Sequence, residues 1–195
     1  MKLNTQLFVI ILLIIMVLLS GCTEQTSTTS ETIKEQTKTK LSSIEPSDLI
    51  LQVSDLPSNF TIKERAERVK SDLDEDAKNL GWKKGYSVIF IKGETIFDMT
   101  AISHSISIYP IDNISKVLDI PRKSNENRTY DELSNPNIGD KSKAFRVTEN
   151  SGFETRSYMI EFVKMDVYEY ISIGGTSTDY ELLKELAKKA EAKIK

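Results

Sequence analysis

After Cys22 the chain contains no cysteine, so neither a disulfide within one chain nor a cysteine-type structural zinc site can form. It has one histidine, His104, and no recognisable nucleophile motif, which leaves an imidazole catalyst or metal ligand without its usual partners. Proline and glycine are sparse, at 5 and 8 residues, and with 39% hydrophobic and 28% charged residues the composition is that of a packed globular protein, not a fibrous or disordered one. Surplus positive charge is missing too. The net charge is −3, and −4 without residues 1–21, so a large nucleic-acid footprint is not expected. Long apolar runs are absent except for one, and that one is informative.

Leu7 to Leu19 is an unbroken apolar stretch of 13 residues behind Lys2 and the amino terminus. As a helix it would span roughly 20 Å, short of the roughly 30 Å hydrocarbon core of a bilayer, which suits a signal-peptide core better than a permanent span. Leu19-Ser20-Gly21-Cys22 follows at once. This resembles the lipobox of prokaryotic membrane lipoproteins. The resemblance implies that residues 1–21 are a cleaved signal peptide and that Cys22 carries diacylglyceryl and acyl groups (palmitate among them), anchoring the chain to the outer face of the cell membrane. Two acyl chains, at about 0.8 kcal/mol per buried CH₂, hold where one binds only marginally.

Residues 22–45 are dominated by Thr, Ser, Gln, Glu and Lys and contain no aromatic residue, so they are expected to form a flexible polar tether of roughly 26 Å mean reach. Residues 46–195 remain as one globular domain, long enough to fold without staples.

Within it, Phe60 and Ile62 start a first strand. Leu73, Ala77 and Leu80 have helical spacing behind an expected N-cap at Ser71, and Gly81 stops that helix. The acids Asp72, Asp74, Glu75 and Asp76 do not make a calcium loop, because Ala77 and Lys83 stand where the EF-hand pattern needs Gly and Glu. "YSVIFIKG" and "ETIFDMTAISHSISIYP" read as a hairpin about Lys92-Gly93-Glu94. In its second run Ile102, Ile106 and Ile108 share one parity and Ser103, Ser105 and Ser107 the other, predicting one buried and one wet face. His104 falls on the isoleucine parity, where a hydrogen-bonded structural histidine is expected.

A short helix is expected over Asp112–Leu118, then a long irregular stretch over 122–140, the first place to look for a binding surface. Three strands follow, with Tyr168 and Tyr170 expected to pack under a helix. Thr178 and Glu181 suggest a capping box for a final helix whose stripe is Leu182, Leu183, Leu186, Ala190 and Ile194. Gly174-Gly175 before it lacks the spacing of a nucleotide-binding loop. Asn59, Asn113 and Asn127 lie in glycosylation sequons.

The element order predicts an α+β fold: an antiparallel sheet of about five to seven strands, with a long C-terminal helix and one or two shorter helices on one face. That layout, with Asp55-Leu56-Pro57 and Ile138-Gly139-Asp140, resembles the PsbP/Mog1-like α/β sandwiches and sensor-like lipoprotein domains, which implies a noncatalytic binding or accessory module. The expected function is that of a lipid-anchored extracytoplasmic domain contacting a protein or small molecule, with no enzyme activity, metal or cofactor. The alternatives are a surface hydrolase using Asp and Glu residues and a structural envelope lipoprotein.

Overall fold

The computed structural model describes residues 44–93, 95, 98–150 and 154–195. Cys22, the expected signal peptide and the expected tether as far as residue 43 lie outside the described residues. Ile44 and Glu45, read above as tether, belong to the domain: Ile44 packs on the core, and Glu45 pairs with Lys84 at 2.8 Å.

Helix α1 (Pro46–Leu49) opens the domain, with Pro in its first turn where a missing N–H costs nothing. Then come β1 (Thr61–Arg68), α2 (Glu75–Asn79), β2 (Lys84–Lys92), β3 (Thr100–Ile108) and α3 (Ile114–Val117). The chain finishes with β4 (Arg128–Glu132), β5 (Lys141–Asn150), β6 (Glu154–Lys164), β7 (Val167–Gly175) and α4 (Tyr180–Glu191). The α+β class expected from the sequence is observed. Strands dominate, and all seven join one antiparallel sheet in the order β1-β2-β3-β7-β6-β5-β4. The β3–β7 pairing, from Thr100↔Gly175 to Ile108↔Val167, joins the N-terminal strands to the meander.

One sheet face is fully packed. Phe90, Ile102, Ile106, Ile160, Phe162 and Ile171 form one cluster with Leu183, Leu186, Ala187 and Ala190 of α4, all essentially sealed from water. Each of the Leu, Ile and Phe side chains contributes about 1.5–3 kcal/mol by leaving water. Helix α4 lies over β6 and β7, and α1 over β2 and β3.

Several expectations need correction. Among the described residues there are three short helices, and they are not confined to one face: α3 packs on β7 in a second cluster with Tyr109, Leu118 and Tyr168, on the side away from α4. The helix near residue 75 is shorter than its apolar spacing implied, and its cap is Asp74, whose Oδ1 accepts from the Ala77 amide at 2.9 Å, while Ser71 sits in a preceding 3₁₀ turn. Helix α4 is capped by Asp179, which accepts from Glu181 and Leu182 amides at 2.8 and 3.2 Å, in place of Thr178. A carboxylate one residue nearer the helix wins because it reaches two amides. The stretch 122–140 is not wholly irregular, since β4 lies inside it, paired to β5 from Arg128↔Glu149 to Glu132↔Phe145.

The sheet has two unpaired edges. Strand β1 reads TIKERAER, almost entirely exposed, with a register break between Ile62 and Glu64; β4 reads RTYDE, exposed except at Tyr130.

Candidate functional site

Opposite α4 the sheet is only partly covered. Clusters about Tyr109 and Phe145 pack parts of that face, and between them lies a groove of about 650 Å³. Its floor follows from residue size. On β3, β7 and β6 the outward positions carry Ala101, Ser103, Ser105, Ser157, Ser172 and Gly174, and the register sets Ser103 against Ser172, Ala101 against Gly174 and Ser157 against Gly174. Small side chains on adjacent strands leave a trough, and larger neighbours, Tyr130, Tyr170, Val147 and Met159, wall it. The hydroxyls of Ser103, Ser105, Ser157 and Ser172 make no hydrogen bond within the described residues. Because the floor is a sheet face, its backbone groups are paired along the ladders, and a bound molecule meets side chains only.

Four arginines line the groove: Arg68, Arg122, Arg128 and Arg156. Arg122 is held most firmly. Its Nη2 donates to the Glu161 carboxylate and, at 3.1 Å, to the Tyr168 hydroxyl, which itself donates to Glu161 at 2.8 Å. Glu161 is only 2% exposed, so Arg122 supplies the charge a buried carboxylate requires. Burial works against the guanidinium charge, yet Tyr168 and Glu161 more than offset it and hold Arg122 charged beyond its ordinary range. The Tyr168 hydroxyl is pushed well up, by burial first and then by the Glu161 carboxylate. Burial likewise lifts Tyr109 to about 12. Arg68 donates through Nη1 to Ser107 at 3.0 Å, and Arg128 pairs through Nη2 with Glu149. The acids at the groove are also engaged: Asp72 accepts the Val69 amide, Asp74 caps α2, and Glu149 holds Arg128.

The stretch 122–140 supplies Arg122, Arg128 and Tyr130 to the groove lining. Tyr168 packs edge-on against Tyr109, with ring centroids 6.4 Å apart, and Tyr170 is a half-buried groove wall. The serine parity of β3 was the sequence signal for the floor. Arg68, at the end of an exposed strand, carried no signal of its own.

His104 lies on the packed face, away from the groove, and is fully buried. The Leu51 amide donates to its Nδ1 at 3.1 Å, so the ring proton is on Nε2, which donates to Glu169 at 2.8 Å. This is the hydrogen-bonded structural histidine expected above. Among the described residues no group of three or more His, Asp or Glu side chains is placed to hold a metal ion. No helix among them is long and apolar enough to cross a membrane. Asn59 and Asn127 are exposed, while the Asn113 amide nitrogen donates to the Leu80 carbonyl at 3.3 Å. Gly175, at φ +116°, turns the chain out of β7, four residues before the α4 cap.

No protein-family model matches the sequence, and no curated protein does. Two solved structures are similar. The extracellular domain of PknH from Mycobacterium tuberculosis aligns with a TM-score of 0.56 and 12% identity, covering 77% of this chain and 96% of that one. A putative uncharacterized protein of Mycobacterium smegmatis, the Rv0999 ortholog, aligns with a TM-score of 0.51 and 11% identity, over 77% and 96% of the two chains. At such identities the likeness shows a shared fold.

Proposed function

We propose that this chain is a lipid-anchored, extracytoplasmic binding domain that captures a polar ligand in the groove opposite α4. The observation that carries the reading is the floor of partnerless serine hydroxyls inside a 650 Å³ concavity ringed by arginines and tyrosines. Ligand sites are concave and of this size, with a few placed polar groups, and free hydroxyls on a sheet face contribute nothing to folding. The lipobox supports the anchor, and the extracellular placement of the PknH domain, which has the same fold, supports the location.

Two experiments test it. A Cys22→Ser chain should stay uncleaved and unlipidated by mass spectrometry; normal processing would refute the anchor. In a thermal-shift screen of the intact protein against polar metabolites, oligosaccharides and peptides, at least one compound should raise the melting temperature. The rise should vanish in Ser172→Trp, which fills the floor. A shift that survives the tryptophan would place the ligand elsewhere.

A further inference from the structure

Resting on that groove reading, we infer that the ligand class is an acidic saccharide, whose carboxylate or phosphate groups sit on Arg68, Arg122 and Arg128 while its hydroxyls meet the serine floor. A guanidinium has five N–H donors in a fixed fork. Arg68 spends only Nη1 on the protein, and Arg122 and Arg128 spend only Nη2. The remaining nitrogens of all three have no partner among the described residues. Each arginine is thus tethered at one nitrogen and open at the others. That arrangement lowers the entropy lost on binding and leaves donors for an incoming oxyanion. Arg68 in particular keeps Nε and Nη2, the side-on edge that matches a carboxylate or phosphate in bidentate fashion.

The acids at the groove each spend at least one oxygen inside the protein and leave fewer open acceptors than the arginines leave donors. Asp72 and Asp74 accept backbone amides and Glu149 accepts from Arg128, whereas the arginine donors are in excess. The floor decides between a saccharide and a peptide. An extended peptide gains affinity from unpaired strand-edge amides, and here the ladder bonds of β3, β7 and β6 are already made to one another. A face of serine hydroxyls suits a ligand rich in hydroxyls of its own. Tyr130 and Tyr170 offer ring faces beside it, apolar bodies against which a sugar ring can lie.

The test is calorimetric titration of the intact protein in detergent micelles with three probes: trigalacturonate, a glycerol-phosphate oligomer and neutral maltotriose. One acidic probe should bind at least tenfold more tightly than maltotriose, with an affinity that falls as salt rises. Which acidic probe wins tells carboxylate from phosphate. Arg68→Gln, which gives up only the bond to the buried Ser107 hydroxyl inside the protein, should weaken the acidic probe about tenfold and lower the unfolding midpoint without unfolding the protein, whereas Ser107→Ala should lower the midpoint and leave the probe's affinity unchanged. Arg122 is avoided because its loss would strand buried Glu161. Equal affinity for maltotriose, no effect of Arg68→Gln, or no binding of either acidic probe would overturn the inference. If a neutral compound still gives a thermal shift that Ser172→Trp abolishes, the groove reading stands and only the acidic class falls. If nothing in either experiment binds, both fall.

Discussion

Nε2 of His104 lies 2.8 Å from Oε2 of Glu169, and both side chains are completely withdrawn from solvent. The other ring nitrogen accepts the Leu51 amide, so a single imidazole joins strand β7 to the segment after α1 across the middle of the core. Among the described residues Glu169 Oε1 has no partner, and the imidazole is the only hydrogen-bonding support of that carboxyl.

His104→Ala should therefore lower stability by about 3 kcal/mol, since it leaves both a buried amide and a buried carboxyl unpaired. Glu169→Gln keeps an acceptor for Nε2–H and should lose less than half as much. Urea unfolding of the two variants measures this. Equal losses would show that a carboxylate, and not merely an acceptor, is needed opposite Nε2.

Two aspartates give pH effects of opposite sign. For Asp55 burial pushes upward, but the Gln52 amide, Lys193 and Lys189 together hold the carboxyl below its ordinary 3.8. The unfolded chain then binds more protons in that window, so this contribution is present above about pH 4 and is lost as pH falls through the lower folded value. Asp55→Asn should be less stable than the parent at about pH 6 and equal to it near pH 2. Asp166, with Oδ1 buried and unpartnered, is pushed above 3.8 by burial, against the pull of its own amide and of Lys83 and Lys84. Here the folded chain holds the proton more tightly, so stability falls as pH rises from 3.8 through the folded value. Asp166→Asn should be more stable than the parent at neutral pH. Unfolding curves across pH check both signs.

Gly139 sits at φ +67°, where a Cβ would stand 2.4 Å from the Val163 carbonyl oxygen and 3.0 Å from a Phe162 ring carbon. Gly139→Ala meets both a disfavoured backbone region and a clash with chain that is itself in a sheet. A loss of about 3 kcal/mol is expected in denaturant titration. A change within about 0.5 kcal/mol would mean that the turn before β5 relocates freely.

The cap of α4 separates two neighbours. Asp179→Ala should lower stability by about 1 kcal/mol through loss of two amide contacts, and Thr178→Ala by less than about 0.5 kcal/mol. Thermal unfolding of the pair resolves which residue starts the helix.

Much of the fold was legible because period and burial coincide. The isoleucines of β3 and the leucines of α4 repeat at the spacing of the face they bury, and both elements were readable from that alone. Strand β4 was not, since an edge strand with only Tyr130 half-buried has no alternation to read. The caps slipped by one residue or more because Ser, Thr and Asp compete for the same amides, and only geometry chooses among them. Half of the groove was present in the sequence as the serine parity of β3. The other half was not, because Arg68, Arg122 and Arg156 reach one cavity from positions 34 to 88 residues apart, and no local pattern records that meeting.

The charged margins of the sheet bear on what happens when many copies meet. A hydrophobic, flat outer strand invites the next molecule to continue the ladder, and copies confined to one plane would encounter each other often. Strand β1 instead presents Lys63, Glu64, Arg65 and Glu67 beside its register break, and β4 presents Arg128, Asp131 and Glu132. Growth by strand addition is blocked at both ends, so density on a surface need not become fibre.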